Sequence, residues 1–115
     1  MGMIQPGRYD ITLQQGATFE MTVQYKDSNG VAVNMAGYSV ASKIYNRLGT
    51  AQVATFSTPW DVQASGLFKL RLPASGTAAI TEQGQYDVLL TDPTGDKYYI
   101  LEGTVFVSPG LTGRI

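Results

Sequence analysis

The chain has 115 residues, with 8 Lys and Arg against 9 Asp and Glu, 13 Gly, no His and no Cys; 15% of its residues are charged and 43% hydrophobic. That length suffices for one small domain without metal or disulfide support, and the charged fraction is well below the roughly 25% usual in soluble domains. With neither His nor Cys there is no imidazole base, no thiolate and no zinc site of the usual kinds, so serine, cysteine and zinc hydrolase chemistry is excluded, and a net charge of -1 supplies no positive field for nucleic acid.

The dominant pattern is period two, which sends alternate side chains to opposite faces of a strand. Tyr9, Ile11 and Leu13 alternate with Asp10, Thr12 and Gln14 until Gln15-Gly16 breaks the run. Phe19, Met21, Val23 and Tyr25 then share one face, with Thr18, Glu20, Thr22 and Gln24 on the other, the mark of a half-buried antiparallel strand. Asp27-Ser28-Asn29-Gly30 is a turn sequence, because Asn-Gly tolerates the positive φ of tight hairpins. A short return through Val31, Val33 and Met35 precedes a strand in which Tyr38, Val40, Ser42 and Ile44 alternate with Ser39, Ala41, Lys43 and Tyr45.

Val53 to Phe56 reads as a shorter strand, and Pro59 to Gly66 as a connection holding the single Trp, Trp60. Phe68, Leu70 and Leu72 form the next strand, which Pro73 stops, and Ala74 to Thr81 suits a short helical turn limited by Gly76. Tyr86, Val88 and Leu90 make a further strand. Asp92-Pro93-Thr94-Gly95-Asp96 turns the chain into Tyr98 to Val107, where Tyr99, Leu101, Gly103, Val105 and Val107 share one face and Tyr98, Ile100 and Phe106 the other, so both faces are expected to be covered. Seven to eight short antiparallel strands with one helical turn indicate a β-sandwich or a small barrel. Glu82-Gln83-Gly84-Gln85-Tyr86 narrows this to an immunoglobulin-like Greek-key sandwich, since acid-x-Gly-x-Tyr leads into strand F of such domains and the Tyr hydroxyl bonds back to the preceding corner.

Residues 8–108 thus form a single β-sandwich domain, between an N-terminal arm at 1–7 and a tail at 109–115; Ile4, Leu111 and Ile115 are candidate interface contacts of those arms. No stretch has the roughly 18 consecutive apolar residues of a membrane helix, and Met1 to Gly7 lacks the basic and apolar regions of a secretory signal, so the expectation is a soluble protein made in the cytoplasm. The acids offer no glycosidase pair, and Asp27, Asp92 and Asp96 are explained by turn formation rather than by calcium. The sequence calls for no catalytic residue, metal or cofactor. Trp60 with Tyr45, Tyr98 or Tyr99 is the candidate platform for stacking on a carbohydrate. Lys43, Arg47, Lys69 and Arg71 read either as a basic stripe on neighbouring strands or as charges that discourage edge pairing.

Four segments carry a family resemblance: Tyr9-Asp10-Ile11-Thr12-Leu13-Gln14-Gln15-Gly16-Ala17-Thr18-Phe19, Val33-Asn34-Met35-Ala36-Gly37-Tyr38, Gly84-Gln85-Tyr86-Asp87-Val88, and Leu101-Glu102-Gly103-Thr104-Val105-Phe106-Val107-Ser108-Pro109. The chain resembles small virion proteins of tailed bacteriophages, and is similar to the immunoglobulin-like N-terminal domain of baseplate upper proteins. The resemblance implies a non-enzymatic structural subunit of a virion, in tail or baseplate, made in the host cytoplasm and acting by self-association and docking on other virion proteins. In the larger proteins such a domain is followed by a receptor-binding or linking region, which these 115 residues do not include, so the expected role is structural rather than direct host recognition. The shortage of charge fits this expectation, because faces built from Thr, Ser and Gln cost less to desolvate in an interface than faces of Lys and Glu. A carbohydrate-binding module using Trp60 and surface tyrosines is the alternative; neither nucleic acid nor a membrane is an expected partner.

Overall fold

The computed structural model describes residues 7–109. Nine strands lie among them: β1 (Gly7–Arg8), β2 (Ile11–Gln14), β3 (Phe19–Gln24), β4 (Ser39–Asn46), β5 (Gln52–Phe56), β6 (Trp60–Val62), β7 (Leu67–Leu72), β8 (Gly84–Thr91) and β9 (Lys97–Ser108). They form two sheets. The wide sheet runs β1-β9-β8-β4-β5, with β2 following β1 along the same edge of β9, and the narrow sheet runs β3-β7-β6. The chain is an immunoglobulin-like β-sandwich, its two inner faces closing on Leu13, Met35, Ile44, Phe68, Leu70, Val88, Leu90 and Val105, each at 0–1% exposure. Burial of each such side chain contributes about 1.5–3 kcal/mol.

The alternation in the sequence maps onto these faces. In β8, Gly84, Tyr86, Val88 and Leu90 are buried while Gln85 is exposed, and in β7 Phe68, Leu70 and Leu72 are buried. The connection from β7 to β8 crosses between the sheets through helix α1 (Ala74–Ala78). Its buried Thr77 joins this crossing to the one between β2 and β3. The Thr77 hydroxyl accepts from the Gly16 amide at 3.1 Å and donates to the Ala17 carbonyl at 2.8 Å, and Gln15 donates its side-chain amide to the Ile80 carbonyl at 2.7 Å.

Several expectations change. The strand count is nine because β1 adds a two-residue pairing and because Trp60 begins a strand rather than lying in a connection. Not every pairing is antiparallel: β1 and β2 run parallel to β9. Gly7 belongs to β1, and Ile4, Leu111 and Ile115 lie outside the described residues. The Val31 to Met35 return forms a single bridge, Lys26 to Ala32, rather than a strand.

The last strand departs most from its sequence pattern. Leu89 is opposite Tyr99 but Val88 is opposite Leu101, so Ile100 is a bulge residue that shifts the alternation by one place. Tyr98 therefore sits beside buried Leu90 on the inner side, and Gly103, Val105 and Val107 resume the inner face beyond the bulge. Tyr99 and Phe106 point outward at 51% and 44% exposure, so the outer face is not covered.

The bulge also places Gly103 opposite Tyr86. A Cβ at Gly103 would overlap the Tyr9 carbonyl oxygen and press on the Tyr86 ring. Without it, the Tyr86 hydroxyl donates to that carbonyl at 2.5 Å. The bond expected to run back to the corner before β8 runs instead to the N-terminal strand segment, whose Tyr9 amide bonds to the Glu102 carbonyl at 2.9 Å. The Tyr86 ring meets Phe56 edge-on at 6.2 Å, and Phe56 meets Phe19 of the narrow sheet at 5.8 Å.

Burial, and secondarily Asp10 and Tyr9, push the Tyr86 hydroxyl up to about 12. A phenol whose folded value exceeds its unfolded value contributes stability that is complete below the unfolded value of about 10 and is lost as pH rises through the folded one. Tyr86→Phe is expected to cost about 1 kcal/mol at pH 7 in urea denaturation. It should also flatten the loss of stability between about pH 10 and the folded value of about 12. An unchanged alkaline profile in the variant would refute this role.

Candidate functional site

The outer face of the wide sheet carries a depression of about 560 Å³. Strand register builds it in rows. Lys43 of β4 is opposite Asp87 of β8, Asp87 is opposite Glu102 of β9, and Glu102 is opposite Arg8 of β1, so a line of charges runs across four strands in the order plus, minus, minus, plus. On one side of this line lie Tyr45, Gln85 and Thr104, and on the other Ala41, Leu89 and Tyr99.

Arg8 closes one end. Its guanidinium donates to the Thr104 hydroxyl at 3.0 Å and pairs with Asp10 at 3.4 Å and Glu102 at 3.9 Å. Asp10 in turn accepts from the Thr104 amide at 2.8 Å, which fixes the N-terminal segment against β9. At the opposite end the hairpin between β4 and β5 reaches the groove through Gly49, and Leu48 at its tip is 83% exposed. The Asp87 carboxyl is held above the usual carboxylate range by burial and then by Glu102 across the ladder.

The groove offers carboxylates, a guanidinium, an ammonium, the Gln85 amide and the phenols of Tyr45 and Tyr99, groups able to form hydrogen bonds and ion pairs. Of the candidate carbohydrate residues, the structure brings Tyr45 and Tyr99 into this groove. Trp60 lies on β6 of the other sheet, half-buried and edge-on to Phe68 at 6.3 Å, and Tyr98 is on the inner side. The four basic residues make no common stripe. Lys43 is on the wide sheet and Arg47 follows β4, while Lys69 and Arg71 lie on β7 and each reaches Glu20 at 3.3 Å. Neither β4 nor β7 is an edge strand, so these charges do not guard edges.

Asp27 and Asp92 act within turns. The Asp27 carboxylate accepts from the Asn29 and Val31 amides. Asp92 accepts from the Thr94 hydroxyl at 2.6 Å and the Thr94 and Asp96 amides, bonds that lower its pKa, the hydroxyl foremost. Among the described residues no three acidic side chains gather to hold a metal ion, and no helix is long and apolar enough to cross a membrane.

Sequence reasoning missed Arg8, Asp87, Glu102 and Thr104. The alternation in β8 marks Asp87 as outward, but a ladder without the bulge would set Glu102 opposite Tyr86 on the inner face. The shift at Ile100, which no local sequence signal marks, creates the Asp87–Glu102 pair.

A family model described as "LtfC-like, beta-sandwich domain" matches residues 5–108. A search of curated proteins found no match.

Because folding raises the Asp87 value, its ionised form costs stability, and the cost disappears as pH falls through the raised value to the unfolded one near 4. Asp87→Asn is expected to stabilise the protein at pH 7 by about 0.5 kcal/mol, a size suited to a solvent-screened like-charge pair. The gain should vanish below about pH 4 in paired urea titrations. A variant less stable than wild type at pH 7 would contradict the assignment.

Proposed function

The chain belongs to the LtfC-like β-sandwich family, which makes it a phage-type β-sandwich protein, and from that premise we propose that it is a structural subunit of the phage tail or baseplate. A β-sandwich of this structural type points to a non-enzymatic role. In this reading the subunit acts by burying surface against other virion proteins and against copies of itself. The observation that carries it is the wide sheet's outer face, where Tyr99 and Phe106 stand exposed beside a groove lined by charges of both signs. Exposed aromatic side chains and arginine are what interface centres concentrate, and a mixed-charge row selects a partner by complementarity rather than by bulk attraction. The low overall charge keeps desolvation of the remaining face inexpensive.

Mass spectrometry of purified phage particles tests the reading directly. The protein is expected in the particle at a fixed ratio to the tail proteins, and its absence from intact particles would overturn the proposal.

A second reading, docking of a carbohydrate, is favoured by Tyr45 and Tyr99 sharing the groove. It requires glycan-array binding that Tyr99→Ala abolishes. Binding that survives this substitution, or no binding to any glycan, removes it.

A further inference from the structure

The sheet edges differ in how well they are protected. At the N-terminal edge, β1 and β2 are short pieces of two and four residues separated by Tyr9-Asp10. Strand β6 has three residues, follows Pro59 and shifts register against β7. The pairing of β5 with β4 is also interrupted by a register shift. Short strands, bulges and proline are the devices that keep sheet edges from recruiting other chains. Strand β3 has none of them: its six residues pair with β7 without a register shift and contain neither Pro nor Lys.

The direction of its backbone groups follows from the residues beyond its end. The Tyr25 amide donates to the Gly66 carbonyl at 2.8 Å, and the Tyr25 carbonyl accepts from Val33 at 3.1 Å. Both partners lie on the β7 side, because a Cβ on Gly66 would come within 2.7 Å of the Tyr25 carbonyl oxygen and 2.8 Å of the Val33 carbonyl oxygen. Alternate residues of a strand point their N–H and C=O to opposite edges, so Glu20, Thr22 and Gln24 direct theirs away from β7, to the edge that no strand pairs among the described residues. On the inner side Phe19, Met21, Val23 and Tyr25 are packed against the core yet only half-buried.

We propose that β3 pairs antiparallel with β3 of a second copy of this chain, about a two-fold axis through Thr22, joining two narrow sheets into one. This rests on the assembly reading above and names the surface it uses. A two-fold axis normal to the sheet keeps inner faces on one side, which restricts the register to pairings that match like faces. Centring on Thr22 sets Glu20 opposite Gln24 of the second copy and Thr22 opposite itself, which engages every outward group of these residues in about six backbone hydrogen bonds. The same register sets Met21 opposite Val23 and Phe19 opposite Tyr25, so the half-buried apolar side chains complete one another. It opposes no like charges, whereas centring on Glu20 would oppose two carboxylates. The occupant that satisfies backbone, apolar and charge requirements together is therefore a second copy.

The experiment measures oligomeric state and register in the full chain. Wild type is expected to dimerise by sedimentation or light scattering. Thr22→Lys, at an exposed position, places two ammonium groups beside the axis and should weaken the dimer at least about tenfold in a chain that stays folded, its new ammonium also facing Lys69 of β7 within the monomer. Thr22→Cys introduces the chain's single thiol, opposite its copy at about 5.5 Å between Cα atoms, and should give a covalent dimer on mild oxidation. Gln14→Cys, exposed on β2, should not. An oligomer that ignores Thr22→Lys and leaves Thr22→Cys uncrosslinked overturns the β3 pairing, while detection in particles keeps the assembly reading. A strict monomer found in particles likewise overturns the pairing alone, and a strict monomer absent from particles overturns both.

Discussion

The Tyr86 hydroxyl reaches the Tyr9 carbonyl because Gly103 places no side chain between them, and Gly103 lies there because Ile100 bulges from β9. These three residues hold the N-terminal segment parallel to β9, on the wide sheet. From that placement the chain must cross at Gln15 and Gly16 to begin the narrow sheet, and the crossing is secured by Thr77 and Gln15 rather than by strand pairing. Had the first strands paired with β3, the narrow sheet would have no long open edge. One part-buried phenol bond thus fixes the segment that carries Arg8 on the wide sheet and, among the described residues, leaves β3 paired on one side only.

The two faces of the wide sheet serve different ends. Its inner face carries continuous apolar burial, and the rings of Tyr86, Phe56 and Phe19 link it to the narrow sheet. Its outer face collects charge where the bulge brings Asp87 and Glu102 together. Two carboxylates directly opposite on a ladder destabilise it; Arg8 and Lys43 flank them with opposite charge, and the Asp87 value is raised first by burial and then by Glu102.

The shortage of Lys and Glu gains a structural meaning from β3. Natural edge strands are commonly defended by Lys, and here the lysine and arginine opposite β3 on the ladder, Lys69 and Arg71, sit on the central strand and are engaged with Glu20, while Lys26 lies just beyond the end of β3. The outward positions on the edge strand itself are Glu20, Thr22 and Gln24, two of them uncharged. Such an edge is polar enough to remain solvated and yet inexpensive to desolvate.

The sequence by itself determined the sandwich class, the inner faces of β3, β4, β7 and β8, the turn at Asp27 to Gly30 and the helical crossing after Pro73. Each is a local matter of period, turn chemistry or a breaker, and local physics is legible in order along the chain. Only the tertiary structure decided the parallel seating of β1 and β2, the phase of β9 after Ile100, the strand character of Trp60 and the meeting of Arg8, Lys43, Asp87 and Glu102. Those features depend on which strands become neighbours and in what register, and a single inserted residue reverses every face beyond it. That is why Glu102, which an unbroken alternation would set on the inner face opposite Tyr86, lies instead in the groove beside Asp87.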